Sequence, residues 1–162
     1  MSVNKYQPHV LVLPEDDANR QLANGFLLDE SLLTRRIQVL EEVGGWTEVL
    51  DRFKSDHVRG LEIYPDRFIV LLIDFDGQEN RLTQAMAAIP ERLVDRVFVL
   101  GAWTEPEALR AALGPYETIG RKMARDCREG TDATWGHPLL RHNAIEIDRL
   151  RQHVRPMLFE TS

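Results

Sequence analysis

The sequence predicts an α/β fold: three layers, α/β/α (Rossmann-like), around a mostly parallel central sheet, with additional helices at the C-terminus. Three observations carry that prediction. Four short apolar runs recur along the chain, at 9–13, 36–43, 67–73 and 96–100. Segments of helical periodicity separate them, and strands alternating with helices build parallel sheets with right-handed crossovers. The run from Arg67 to Ile73, RFIVLLI, is apolar on both faces, as a central strand covered by helices on both sides must be.

The elements follow in order. His9 to Leu13 reads as a buried strand that Pro14 stops. Ala18 to Leu28 places Ala18, Leu22 and Phe26 on one helical face, with Asp16 or Asp17 as its N-cap. Arg36 to Val43 is a second strand, ended by Gly44-Gly45. Trp46 to Phe53 turns helical, and His57 to Asp66 is ambiguous. Arg67 to Ile73 is the third strand, Gln78 to Ile89 a helix, and Arg96 to Leu100 the fourth strand. Glu105 to Leu113 has Pro106 in its first turn and Gly114-Pro115 at its end. Tyr116 to Arg128 and Pro138 to His153 complete the helices, before a short apolar tail, Met157 to Phe159. At 162 residues the chain has the size of one domain, 1–162, with an α/β core at 8–103 and a helical extension at 104–162.

Composition excludes several classes. Apolar residues make up 43%, too many for a disordered chain. The polar stretch Met1 to Pro8 has no signal-peptide pattern, and Phe68 to Ile73 is too short to span a bilayer. With a single cysteine, Cys127, no internal disulfide is possible; the expected compartment is the cytoplasm, and the expected role of Cys127 is packing. The net charge of −6 argues against a surface that grips nucleic acid everywhere. Of the 20 basic residues only three are lysine, and arginine's fork suits phosphate or carboxylate. A local basic face is compatible with that total. Arg121, Arg125 and Arg128 fall on one helical face beside Lys122, as a candidate phosphate-binding stripe or a plain solvated face. Arg149, Arg151 and Arg155 form a looser second group. The histidines are scattered; His142-Asn143-x-x-Glu146 places polar groups on one helix without making a zinc site. Trp46, Trp103 and Trp135 read as packing residues.

The strand ends carry the chemistry. The first strand runs into Glu15-Asp16-Asp17, and the third into Asp74-Phe75-Asp76-Gly77. Ligands of open parallel sheets bind beyond the carboxyl ends of the strands. Alternation along an extended chain points Asp74 and Asp76 to one side, so adjacent first and third strands would bring four or five carboxylates together. Two carboxylates about 4 Å apart repel by roughly 1 to 4 kcal/mol. A cation, a bound proton or water relieves that repulsion. Oxygen ligands without Cys or a His pair favour Mg²⁺ or Mn²⁺.

These motifs resemble a known family. The TOPRIM domain of topoisomerases, primases and OLD-type nucleases has a Glu closing its first strand, a glycine-containing turn after its second, and an Asp-x-Asp closing its third. This chain has LVLPEDD, VLEEVGG and VLLIDFDG in that order, over roughly residues 8 to 103. Asp16 stands where the family usually has glycine, and Asn80 is the nearest polar group to the third Asp of its longer motif. The resemblance implies Mg²⁺-dependent phosphoryl chemistry on nucleic acid. Asp74 and Asp76 would hold the ion, with Glu15, or Asp16 beside it, as a ligand or general acid/base. Trp103 to Glu107, WTEPE, is similar to the acidic strand-to-helix junction of small OLD-like proteins, so Glu105 and Glu107 are candidates for a second metal. No tyrosine lies beside these acids in the sequence, so cleavage by water is expected rather than strand passage. The resemblance implies action on nucleic acid and, as a protein partner, an ATPase subunit of a defence or repair system. Two other classes compete. One is a non-catalytic TOPRIM-like interaction module. The other is a receiver-like signalling domain with Asp74 as phospho-acceptor; against it, the Asp16 to Asp74 interval is long and no lysine closes a fifth strand.

Overall fold

A computed structural model describes residues 2–160. The strands are β1 (His9–Pro14), β2 (Ile37–Val39), β3 (Arg67–Leu72) and β4 (Val97–Leu100). They form one all-parallel sheet of order β2-β1-β3-β4. The helices are α1 (Asp17–Phe26), α2 (Trp46–Arg52), α3 (Val58–Ile63), α4 (Glu79–Ala87), α5 (Pro106–Leu113), α6 (Tyr116–Glu129), α7 (Ala144–His153) and α8 (Arg155–Leu158). The α/β class and the parallel sheet are as the sequence predicts, and the layering is that of a three-layer α/β/α fold.

The period-two alternation of the strands sorts the core into two halves. Val10, Val12, Val70, Phe98 and Leu100 face one way, into a cluster with Leu22 of α1, Ile119 and Met123 of α6, and Ile147 and Leu150 of α7. Leu11, Leu13, Ile69, Leu71, Val97 and Val99 face the other way, against Val49 and Leu50 of α2, Leu61 of α3 and Ala85 of α4. On the first face, α1 and α6 cross backbone to backbone. A Cβ on Gly120 would stand 1.9 Å from the Leu22 carbonyl oxygen, so only glycine fits there.

Three elements depart from the sequence reading. The second strand keeps ladder geometry only over Ile37–Val39; Leu40, Val43 and Gly44 then donate to the carbonyls of Val12, Pro14 and Glu15 along irregular extended chain. The ambiguous stretch is helical: a π-helical turn, Phe53–His57, joins α2 to α3. The helix expected from Pro138 begins only at Ala144, after a 3-10 turn at Arg141–Asn143.

That late start has a physical reason. β4 is an edge strand, and its outer side would present unpaired amides and carbonyls. Side chains at the start of α7 satisfy them. Val99 N–H donates to Glu146 Oε2 at 2.8 Å, and Gly101 N–H to Asn143 Oδ1 at 3.2 Å. Asn143 Nδ2 returns a bond to the Gly101 carbonyl at 3.0 Å, and His142 Nε2 lies 2.7 Å from the same oxygen. Arg149 neutralises the buried Glu146 at 2.5 Å and also donates to the Val94 carbonyl. The polar run His142-Asn143-x-x-Glu146 therefore stands in for a fifth strand.

Glu146→Ala is expected to lower unfolding free energy by about 2 to 4 kcal/mol, because it strands both the Val99 amide and the Arg149 charge. Glu146→Gln, which keeps an acceptor for Val99, should cost clearly less. Urea denaturation of both variants checks this.

Candidate metal centre

The site forms where the β1–β3 ladder runs out. Register pairs Pro14 with Leu72, and Glu15 N–H then donates to the Leu72 carbonyl at 2.9 Å. Beyond Leu72 the other side of the chain stays tied to the exit of β4: Ile73, Phe75 and Gly77 donate to the carbonyls of Leu100, Ala102 and Trp103. Ile73 and Phe75 pack with the odd-numbered residues of β3, and Asp74 is left on the α1 side. One oxygen each from Glu15, Asp16 and Asp74 lie within 4.8 Å of one another. Glu15 is 7% exposed and Asp74 8%.

Asp16 N-caps α1: its Oδ1 accepts the backbone N–H of Asn19 at 2.9 Å. The fully buried Asn19 side chain also turns back into the cluster. Its Nδ2 donates to Asp16 Oδ1 at 2.9 Å and to Asp74 Oδ1 at 3.1 Å. Sequence reasoning missed Asn19. The signal was available in Asp16-x-x-Asn19, the spacing at which a cap and the third helical residue meet.

The electrostatics follow from the burial of like charges. Burial, followed by the hydrogen bond to Glu15, pushes the Asp74 carboxyl up to about 9, against a partial pull downward from Asn19. Burial also raises Glu15, while its hydrogen bond to Asp74 holds it down. Without a cation the pair therefore holds a proton on Asp74 at neutral pH, shared toward Glu15. Two buried oxygens, Glu15 Oε1 and Asn19 Oδ1, have no donor among the described residues. Buried polar atoms are ordinarily paired. Here the orphans are hard oxygens beside a dense acidic cluster, and such a donor set suits a metal ion.

The other predicted residues lie elsewhere. Asp76 does not follow the alternation: it adopts φ +51°, turns out of line, and its half-exposed side chain meets Arg81 Nη2 at 3.5 Å. Asp17 is exposed and accepts from Gln21. Glu105 and Glu107 are exposed at the start of α5, outside the cluster. Arg121 and Arg125 are exposed on a solvated helix face, with Glu30 at 3.9 Å and Glu129 at 3.3 Å, and the half-buried Arg128 pairs with Asp29 at 3.2 Å. Asp29 and Glu30 follow the C-terminal end of α1, whereas Asp16 caps its other end, about 15 Å away for ten residues of helix.

Three further neighbours emerge. Arg81 Nη1 donates to the Asp74 carbonyl at 2.8 Å. The buried Tyr116 phenol is raised first by burial and then by Glu107, with smaller contributions from Asp16 and Asp74. This tyrosine stands close enough to sense the cluster, although nothing in its sequence position says so. His142 packs edge-on against Phe75 and beside Trp103, with centroids at 5.1 and 5.2 Å, and so braces the segment that carries Asp74. Cys127 is fully buried and its thiol is pushed up to about 11, which makes it inert packing.

The raised Asp74 carboxyl fixes a pH dependence. Between pH 3.8 and about 9 the unfolded chain gives up a proton that the folded, cation-free chain keeps, so stability falls as pH rises. Asp74→Asn removes that loss. Between pH 5 and 9 the cation-free wild type should lose up to about 5 kcal/mol more than the variant, at about 1.4 kcal/mol per pH unit. Urea melts of both proteins in chelator at the two pH values check the difference.

No helix among the described residues is long and apolar enough to cross a membrane. No family model, curated protein sequence or solved structure matches the chain.

Proposed function

We propose that Glu15, Asp16 and Asp74 hold a hard divalent cation, Mg²⁺ or Mn²⁺, and that the protein is a TOPRIM-like phosphodiesterase acting on nucleic acid. The observation that carries the reading is the buried acidic triad with an unpartnered Glu15 oxygen at the β1/β3 switch point, where sheets of this order bind their ligands. When bound, the cation supplies charge neutralisation at a phosphoryl group and a more acidic water. The chain's own residues do the rest. Asn19 fixes Asp16 and Asp74 in one orientation. Glu15, with its raised proton affinity, is the group suited to take or give a proton beside the ligands.

The sheet order favours one second reading. β2-β1-β3-β4 is the start of the flavodoxin-like order that receiver domains share, and Asp74 then stands at the phospho-acceptor position. Its 8% exposure, and an edge closed by α7 in place of a fifth strand, weigh against acceptance of a phosphoryl group there.

Calorimetry with Mn²⁺ is the direct test. Wild type should bind one ion, and Glu15→Gln and Asp74→Asn should each weaken it at least about tenfold. Binding that is absent, or equal in all three proteins, would leave a non-catalytic interaction module as the better account. With binding in hand, cleavage of single- and double-stranded DNA and RNA separates the nuclease from the phospho-acceptor, which should instead take phosphate from acetyl phosphate.

A further inference from the structure

Arg81 is a cation at the acidic cluster for which the sequence offered no role. Its side chain is 17% exposed, and its guanidinium lies over the Trp46 ring, 5.1 Å from the centroid. Nη1 donates to the Asp74 carbonyl at 2.8 Å. Its charge also acts on Glu15, favouring the carboxylate. The group is thus held at the cluster by a stack and a backbone acceptor, yet its donors are not filled. Nε is buried without a partner among the described residues, and Nη2 reaches Asp76 Oδ2 only at 3.5 Å.

Asp76 is a weak occupant of that position. It is half exposed, and its left-handed backbone costs a non-glycine residue roughly 1 kcal/mol. A guanidinium fixed by stacking presents its remaining donors as a fork, and a phosphate, with several oxygens, fills such a fork better than one distant carboxylate oxygen. The arginines of α6 do not compete for this role, because Arg121 and Arg128 meet Glu30 and Asp29 beyond the far end of α1, and Arg125 pairs along its own helix with Glu129.

We propose that Arg81 receives the oxygens of a phosphate group bound at the Glu15–Asp16–Asp74 cluster, and that Asp76 is the internal anion it releases. The proposal rests on the cation and phosphoryl reading of that cluster and adds the residue that would receive the phosphate oxygens and the internal anion that they displace.

The test uses the full chain, Mn²⁺, and inorganic phosphate as probe. Calorimetry first gives the Mn²⁺ affinity, then the phosphate affinity of the Mn²⁺-loaded protein. Arg81→Gln should bind Mn²⁺ as tightly as wild type or more tightly, because a positive charge is lost beside the ligands. It should bind phosphate at least about tenfold more weakly. Arg81→Lys keeps the charge without the fork and should fall between the two. Asp76→Asn, which removes the competing carboxylate, should tighten phosphate by about threefold. Retained Mn²⁺ binding in Arg81→Gln certifies that the cluster is intact. Wild type that binds Mn²⁺ but no phosphate, or Arg81→Gln that binds phosphate like wild type, overturns the role of Arg81 and leaves the cation reading standing. Wild type that binds no Mn²⁺ removes the cation reading, and this proposal with it.

Discussion

The parallel pairing of β1 with β3 decides where every other feature of the site must go. Once Pro14 is registered against Leu72, Glu15, the next residue after β1, and Asp74, two residues beyond Leu72, leave the sheet close enough for their carboxylates to meet. Neither can be moved away without shifting a strand whose other residues are buried on both faces. The carboxylates are therefore held together by the hydrophobic core, which opposes their repulsion with many well-packed contacts. A surface cluster of acids would spread apart. This one cannot, and the proton on Asp74 is the consequence in the absence of a cation.

Much of this was legible in the sequence, because it depends on local pattern. Buried strands are contiguous apolar runs, and Glu15 and Asp74 lie directly after two of them. Whatever depended on chain reversal or distant partners was hidden. Strand alternation, extended past β3, predicts Asp76 on the side of Asp74, but the strand geometry ends before it and the backbone turns left-handed. The α6 arginines have correct helical spacing, yet spacing along one helix says nothing about acids brought up by another segment. Asn19, Tyr116 and Arg81 are ordinary residues in sequence, and each becomes relevant only because its helix packs at one end of the sheet.

The C-terminal helices show the same dependence on long-range structure. The sequence divides the chain into a core and a helical extension, but residues of α6, α7 and α8 share one apolar cluster with β1, β3 and β4. Phe159 returns to bridge Leu32, and Leu33 N–H donates to the Leu158 carbonyl. The extension completes a face of the sheet that α1 covers only in part.

It also reaches the site through a short mechanical chain. Asn143 and His142 hold Gly101, the residue that ends β4. Gly101 must be glycine because a Cβ there would fall 1.5 Å from the Ile73 carbonyl oxygen, so the exits of β3 and β4 lie in direct backbone contact. From Gly101 the hydrogen bonds of Ala102 and Trp103 pass to Phe75 and Gly77, on both sides of Asp76. A parallel sheet with a fifth strand would fix β4 by a regular ladder. Here a few side chains of α7 and of the 3-10 turn before it do that work, and those of the turn position the loop that presents Asp74 and Asp76. The geometry of the acidic cluster is in that sense set from both edges of β3: by Glu15 through β1, and by α7 through β4.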